Sequence, residues 1–442
     1  MNPSSKPLLL ALILFLCGFS SCKHIGQNGV FADNPNWFHA YYQYNNKDYY
    51  KFFSEYLQSE EAKNSPFYSQ IVHYYNSNQD TPFWTANGYQ EALIAQNAQL
   101  LEEAFKTHGI PAEYLDYKNI RALIDTIRSG KVEQAEQLYT FLTQLEWQLT
   151  NSNVRYANAL QFGATDPAIV NGGKWLYPTL QADSAFINHT LASLSDLSAL
   201  FDSIAPKNHD YIVLQKELTK YVDIQDSVFK KIDKKELIKG VKSSQVPLIV
   251  NRLRLTGELP AHFQDSTLSP TLLAAINLFR DNNAIPESDK LDIETIEALN
   301  RDFDYYINRI IVNMERLRWK LEKPKESHYV AVNFADFTLK TVLADTIAIQ
   351  MKVCCGRPRP QNEKAGTNSK GMIPGYKAES PMLGGSMHQL ILFPEWSVPS
   401  SIMKDEYYYK LSKNCQSVLD REKMYLVDSK RKEVDPATID WK

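Results

Sequence analysis

No part of this chain gathers charge of one sign: 48 Lys and Arg stand against 51 Asp and Glu in 442 residues, a formal net charge of −3. Nucleic-acid phosphates call for a clustered basic surface, so nucleic-acid binding is set aside. The pairs Lys230-Lys231 and Lys234-Lys235 lie beside Asp233 and Glu236 and read as a solvated helix face. Long apolar runs are also scarce. The most continuous one, Leu8 to Phe19, falls short of the roughly 20 residues that span a bilayer as a helix. Cysteine is scarce too, with five in the whole chain, which rules out a dense disulfide framework. No spacing suggests a metal site, and neither metal nor cofactor is expected.

What the N-terminus does contain is an address. Lys6 supplies a weak positive region, Leu8 to Phe19 an apolar core, and Phe19-Ser20-Ser21 a small-residue cleavage site directly before Cys22. This is the pattern of a bacterial lipoprotein signal, residues 1–21, and it makes Cys22 the lipid attachment site of the mature chain. More than one acyl chain on Cys22 gives stable anchoring where a single chain gives marginal binding. An uncleaved buried helix is the alternative. The expected location is the bacterial envelope, lipid-anchored at the outer membrane and facing the periplasm.

With the signal and Cys22 set aside, Cys354, Cys355 and Cys415 remain. The segment Thr346 to Val353 reads as a strand, and its alternation puts adjacent cysteines on opposite faces. One of the pair is then a buried small hydrophobe; a vicinal disulfide is the other reading.

The segment 22–64 is dense in aromatics, among them Trp37, Phe38, Tyr41, Tyr42, Tyr44, Tyr49, Tyr50, Phe52, Phe53 and Tyr56. Such rings pack in a helix core or stack on sugars, and the first is expected. Asn45 to Asp48 marks a turn or break within it. From Pro66 to Pro167 the pattern is mostly helical, with a break at Thr81-Pro82-Phe83-Trp84-Thr85. A helix from Gln90 stops at His108-Gly109, and another pattern runs from Val132 to Gly163. His108 reads as a cap on the last carbonyls of its helix rather than as a catalytic group. Two further helices flank Pro206, and three follow within 243–302. Residues 305–321 form a helix with Ile307, Ile310, Ile311, Met314, Leu317 and Leu321 inward and Arg309, Arg316 and Arg318 elsewhere, ended by Pro324. The period then switches to 2 at Tyr329-Val-Ala-Val-Asn333. Thr346–Val353 is the second strand and Met387–Phe393 the third.

The order Phe83-Trp84, His108-Gly109-Ile110, Tyr114, Tyr156-Ala157 and Gly163 through Pro167 resembles the scaffold domain of large L,D-transpeptidases. The junction Asn313-Met-Glu-Arg-Leu-Arg-Trp319 and the segment Phe393-Pro-Glu-Trp-Ser-Val-Pro-Ser-Ser-Ile402 are similar to the start of their YkuD-type catalytic domain. The resemblance implies an α+β multidomain chain. Its parts are a helical scaffold (65–242), a peptidoglycan-binding-like three-helix insert (243–302), a return helix (303–325) and the first strands of an incomplete β-rich catalytic domain (326–442). In the insert, Phe279-Arg280 and Asp281 to Pro286 depart from the family's Phe-Gln and Gly-rich turn, which leaves glycan binding and a purely architectural role both open.

The resemblance further implies 3–3 cross-linking of peptidoglycan through a Cys acyl-enzyme, with stem peptides and glycan strands as partners. That chemistry needs a thiolate, a histidine and oxyanion donors. The family's nucleophile lies in a Ser-His-Gly-Cys type segment downstream of the Trp-x-Val-Pro loop. Here the last histidine is His388 and the only later cysteine is Cys415, in Lys413-Asn-Cys-Gln-Ser417. No catalytic residue is assigned, and the expectation is a chain truncated before the nucleophile. A non-catalytic wall-binding lipoprotein is the alternative. A generic helical nutrient-binding lipoprotein would need the strands after Tyr329 to be absent.

Overall fold

The structure is a computed structural model. It describes residues 44–440 except 130, 131, 133, 236, 320–326, 345, 358, 361–363, 365, 367–374 and 377. The signal segment, Cys22, Trp37, Phe38, Tyr41, Tyr42, Leu321 and Pro324 therefore lie outside the described residues. The chain is α+β and mostly helical, in two compact units, 1–383 and 384–442.

The first unit opens with the helix Asn46–Tyr56, whose N-cap Asn45 accepts from the amides of Lys47 and Asp48. The polar run expected as a break is thus a helix start, because an Asn side chain satisfies the first orphan amides. Tyr49 and Phe53 on this helix are fully buried, with Phe53 edge-on to Tyr75 at 4.9 Å. The centre of the unit is one unbroken helix, Ala135–Phe162, within the pattern that runs from Val132 to Gly163. Around it pack Tyr68–Ser77, Glu91–His108, Tyr117–Arg128, Ser184–Ala192 and Leu197–Ile204, all contributing to one apolar cluster. Glu91–His108 ends at Gly109 with φ +65°, the left-handed closure that only glycine adopts without strain.

A second cluster joins His209–Asp223 and Phe303–Arg318 to the helices Val246–Thr256, Pro270–Asn282 and Ile293–Leu299. A short antiparallel pairing, Leu237–Ile238 with Lys290–Leu291, closes this group. Two buried arginines organise it. The Arg252 guanidinium lies between the rings of Phe229 and Phe303, 4.3 and 4.1 Å from their centroids, and donates to the Arg301 carbonyl at 2.9 Å. Arg280, also fully buried, donates to Thr295 Oγ1, Asn277 Oδ1, the carbonyls of Ser288 and Lys290, and Asp292 Oδ2. The lysine pairs at 230–235 lie in irregular chain, not on a helix face; Lys231 and Lys234 reach across to Asp302 and Glu297 at 2.5 and 2.6 Å.

After this helical part comes a three-stranded antiparallel meander: His328–Asn333, Thr338–Leu343 and Thr346–Lys352. The middle strand lies between the two that the sequence pattern gave, and a bulge at Thr341/Val342 shifts its register. Pairing places Val330, Val332, Ile349 and Met351 on one face, each between 39% and 51% exposed. The chain then returns to the helical part as a strap, residues 375–376 and 378–383. Gly375 N donates to Gly172 O at 2.9 Å, Met382 N to Lys174 O at 2.8 Å, and Leu176 N to Met382 O at 2.8 Å.

In the second unit Met387–Phe393 forms no strand. It is irregular and open to solvent, with Leu390 85% and Phe393 97% exposed. An apolar run becomes a strand only where a neighbour pairs its backbone, and here none does among the described residues. Tyr408–Lys413 and Cys415–Glu422 pack a small core of Leu411, Val418 and Leu419.

Candidate functional site

Two buried polar clusters hold several of the motif residues, and the three described cysteines lie apart from them. The first cluster centres on Glu146, fully buried in the middle of the long helix. Its carboxylate accepts from the amides of Phe83, Trp84 and Thr85 at 2.6, 2.8 and 2.9 Å, from Thr85 Oγ1 at 2.8 Å and from Tyr75 Oη at 2.7 Å. Trp84 Nε1 donates to Thr150 Oγ1, one turn further on, at 2.9 Å. Burial raises the Glu146 carboxyl above its usual value, while the bonds from Tyr75, Phe83 and Thr85 oppose this. The Pro82 break thus folds over a single acceptor that takes up three otherwise unpaired amides, and no feature of the sequence pattern marks that acceptor.

The second cluster lies where the return helix meets the scaffold. Arg318 is 1% exposed, not on an outer face. It donates to the His108 carbonyl, to Tyr211 Oη at 3.0 Å and to Glu315 Oε2 at 3.1 Å. Because a guanidinium only donates, the Tyr211 oxygen accepts from it, and the phenol proton goes to His108 Nδ1 at 3.0 Å. Burial first, then the charges of Arg318 and Lys207, lower His108 to about 4. His108 is therefore a neutral imidazole in the core. It does not cap the helix carbonyls as expected, because Gly109 closes the helix and turns the ring toward Tyr211. Glu315 Oε1 extends the cluster, accepting from Thr165 N and Oγ1 at 2.8 and 2.9 Å and from Trp319 Nε1 at 3.2 Å. Gly163, at φ +95°, is what lets this happen: a Cβ there would come within 2.8 Å of both Glu315 and Trp319. Every charged group in the cluster has a protein partner, and the arrangement fastens helices together.

The thiols are placed differently. Cys354 and Cys355 are unbonded to each other and lie just beyond the strand end at Lys352, Cys354 exposed and Cys355 half-buried. The expectation of one buried cysteine therefore fails, because the strand stops before the pair and its alternation no longer applies. Cys415 starts the helix Cys415–Glu422 and packs against the small core of Leu411, Val418 and Leu419, and burial pushes its thiol up. That direction is opposite to the one that makes a nucleophile. No group of three or more His, Cys, Asp or Glu side chains suited to a metal occurs among the described residues. In the insert, Arg280 ties the segment from Ser288 to Thr295 to its own helix through five side-chain contacts, its backbone carbonyl accepts from Asn283 N and Ile285 N in the turn before that segment, and Ala284 in the turn takes φ +54°. No described helix is long and apolar enough to cross a membrane.

No curated protein matches this chain. A family model described as a Scaffold domain does match residues 69–218, a range that holds Tyr75, Phe83–Thr85, His108, Glu146, Gly163 and Tyr211.

Proposed function

We propose that this chain is a cell-envelope lipoprotein built on the scaffold of L,D-transpeptidases, acylated at Cys22 and directed toward peptidoglycan stem peptides and glycan strands. One observation supports this best: residues 69–218 match a Scaffold domain, and the motif residues Phe83, Trp84, His108, Gly163 and Thr165 within that range lie in two buried polar clusters. The strands from His328 onward speak against a purely helical nutrient-binding lipoprotein. On this reading the scaffold carries a YkuD-type β module through the Asn313–Trp319 junction.

The 3–3 cross-linking reaction of that family needs an activated thiolate. Cys415, with its thiol pushed up, does not supply one. We therefore read residues 1–442 as a wall-associated scaffold in which Cys415 is not a cross-linking nucleophile. Purified chain incubated with tetrapeptide muropeptides should yield no 3–3 dimers by mass spectrometry; dimers that vanish on Cys415→Ala would overturn this. Wall association has a separate test, co-sedimentation with isolated sacculi, and failure to sediment counts against it. Incorporation of labelled fatty acid, lost on Cys22→Ser, tests the anchor.

A further inference from the structure

We propose that Cys354 and Cys355 form a redox modification site, a dithiol that closes to a vicinal disulfide and thereby loosens the strap, at Ala378 and Ser380, from the end of the sheet. Three observations combine. Both thiols are free, and Cys354 is open to solvent, so an oxidant can reach it. Val353 N still donates to Phe337 O at 2.9 Å, but from Val353 onward the chain is irregular, and no strand geometry forces the two side chains apart. The next two residues hold the strap: Gly356 N donates to Ser380 Oγ at 2.8 Å and Arg357 N to Ala378 O at 2.9 Å.

The geometry of adjacent cysteines makes the ring strained. Neighbouring Cα atoms across a trans peptide are about 3.8 Å apart, whereas relaxed disulfides span roughly 4.4–6.8 Å. Closing the ring twists the Cys354–Cys355 peptide, and strained, exposed disulfides are the easily reduced, regulatory kind. The twist cannot be absorbed at Gly356, where even a Cβ would collide with the backbone of Ala378 and Ser380. It passes instead to the two strap bonds. The strap in turn is fixed to the helical part by Gly172, Lys174 and Leu176, and by Tyr177 Oη donating to Leu383 O at 2.7 Å.

The step balances as thiol–disulfide exchange. The Cys354 thiolate attacks a small-molecule or protein disulfide and expels one thiol. Cys355 then attacks Cys354 Sγ and expels the second. Two S–H bonds are lost and one S–S bond forms; two electrons and two protons end on the reduced oxidant. The proposal is independent of the wall-binding reading.

The test uses the full chain carrying Cys415→Ser in oxidised and reduced glutathione, followed by acid quench, alkylation and mass analysis of the tryptic fragment that begins after Lys352. The expected product lacks two hydrogens, resists alkylation and returns to dithiol in excess reduced glutathione. Amide exchange at Gly356 and Arg357 should then be about tenfold faster, as befits the loss of one local hydrogen bond. Either single variant, Cys354→Ser or Cys355→Ser, should abolish both changes. A fragment that stays fully alkylatable, one that yields only glutathione adducts or chain dimers, or a ring that forms with unchanged exchange would each overturn the proposal.

Discussion

Arg318 and His108 show how much one buried side chain can carry. Removing the guanidinium leaves Tyr211 Oη, the His108 carbonyl and Glu315 without their shared donor. Arg318→Ala should therefore lower stability by about 3 kcal/mol, read from urea unfolding, and Arg318→Lys should recover only part of it because an ammonium lacks the fork. His108 gives a pH dependence. Its folded value is lowered to about 4 from 6.5, so the unfolded chain binds the extra proton between these values. Its contribution is fully present above pH 6.5 and is lost as pH falls toward about 4. The slope should amount to about 3 kcal/mol across that window. His108→Gln should flatten it; an unchanged slope in the variant would remove His108 as the cause. Neither role was legible in the sequence. Apolar periodicity finds the inward stripe of 305–321, but it assigns every charged residue outward and cannot see a partner that lies far along the chain.

Helices were largely readable because glycine and proline punctuate them: Gly109 and Gly163 end two of them, and Pro247 and Pro270 stand in the first turns of two others. Glu146 was not readable, since a lone acid in a helical pattern carries no mark of the turn it organises. Glu146→Gln puts an NH2 among three amide donors and should cost about 2 kcal/mol, with Trp84 fluorescence shifting to the red as the turn opens. At the C-terminal end of the same helix, Gly163→Ala drives a methyl into Glu315 and Trp319 at a backbone angle that favours glycine. Its cost should be about 2 kcal/mol by the same unfolding measurement. Strands were read less well. Thr338–Leu343 was hidden by the turn residues directly before it and by its mixed side chains. Met387–Phe393 has the composition of a strand without a neighbour to pair with.

At the scale of the molecule, the meander presents two edges unpaired among the described residues and an apolar face of Val330, Val332, Ile349 and Met351. Open edges beside apolar faces favour self-association. Ile349→Lys should lower the sedimentation-average mass of the purified chain at high concentration while leaving its helical signal unchanged; equal association in both chains would clear this face. The general plan, a helical scaffold leading into a β segment, was legible because the period changes from 3.6 to 2 within a few residues after Trp319. How the parts are fastened was not, because the fastening uses pairs distant along the chain. Arg318 meets the His108 carbonyl across 210 positions. This distance sets an order on biosynthesis. A chain emerging from the ribosome, or crossing a membrane as a thread, can complete its first helices early, but Tyr211 and His108 wait with unmet polar groups until residue 318 arrives. Until then the nascent scaffold has a gap that a chaperone can still find.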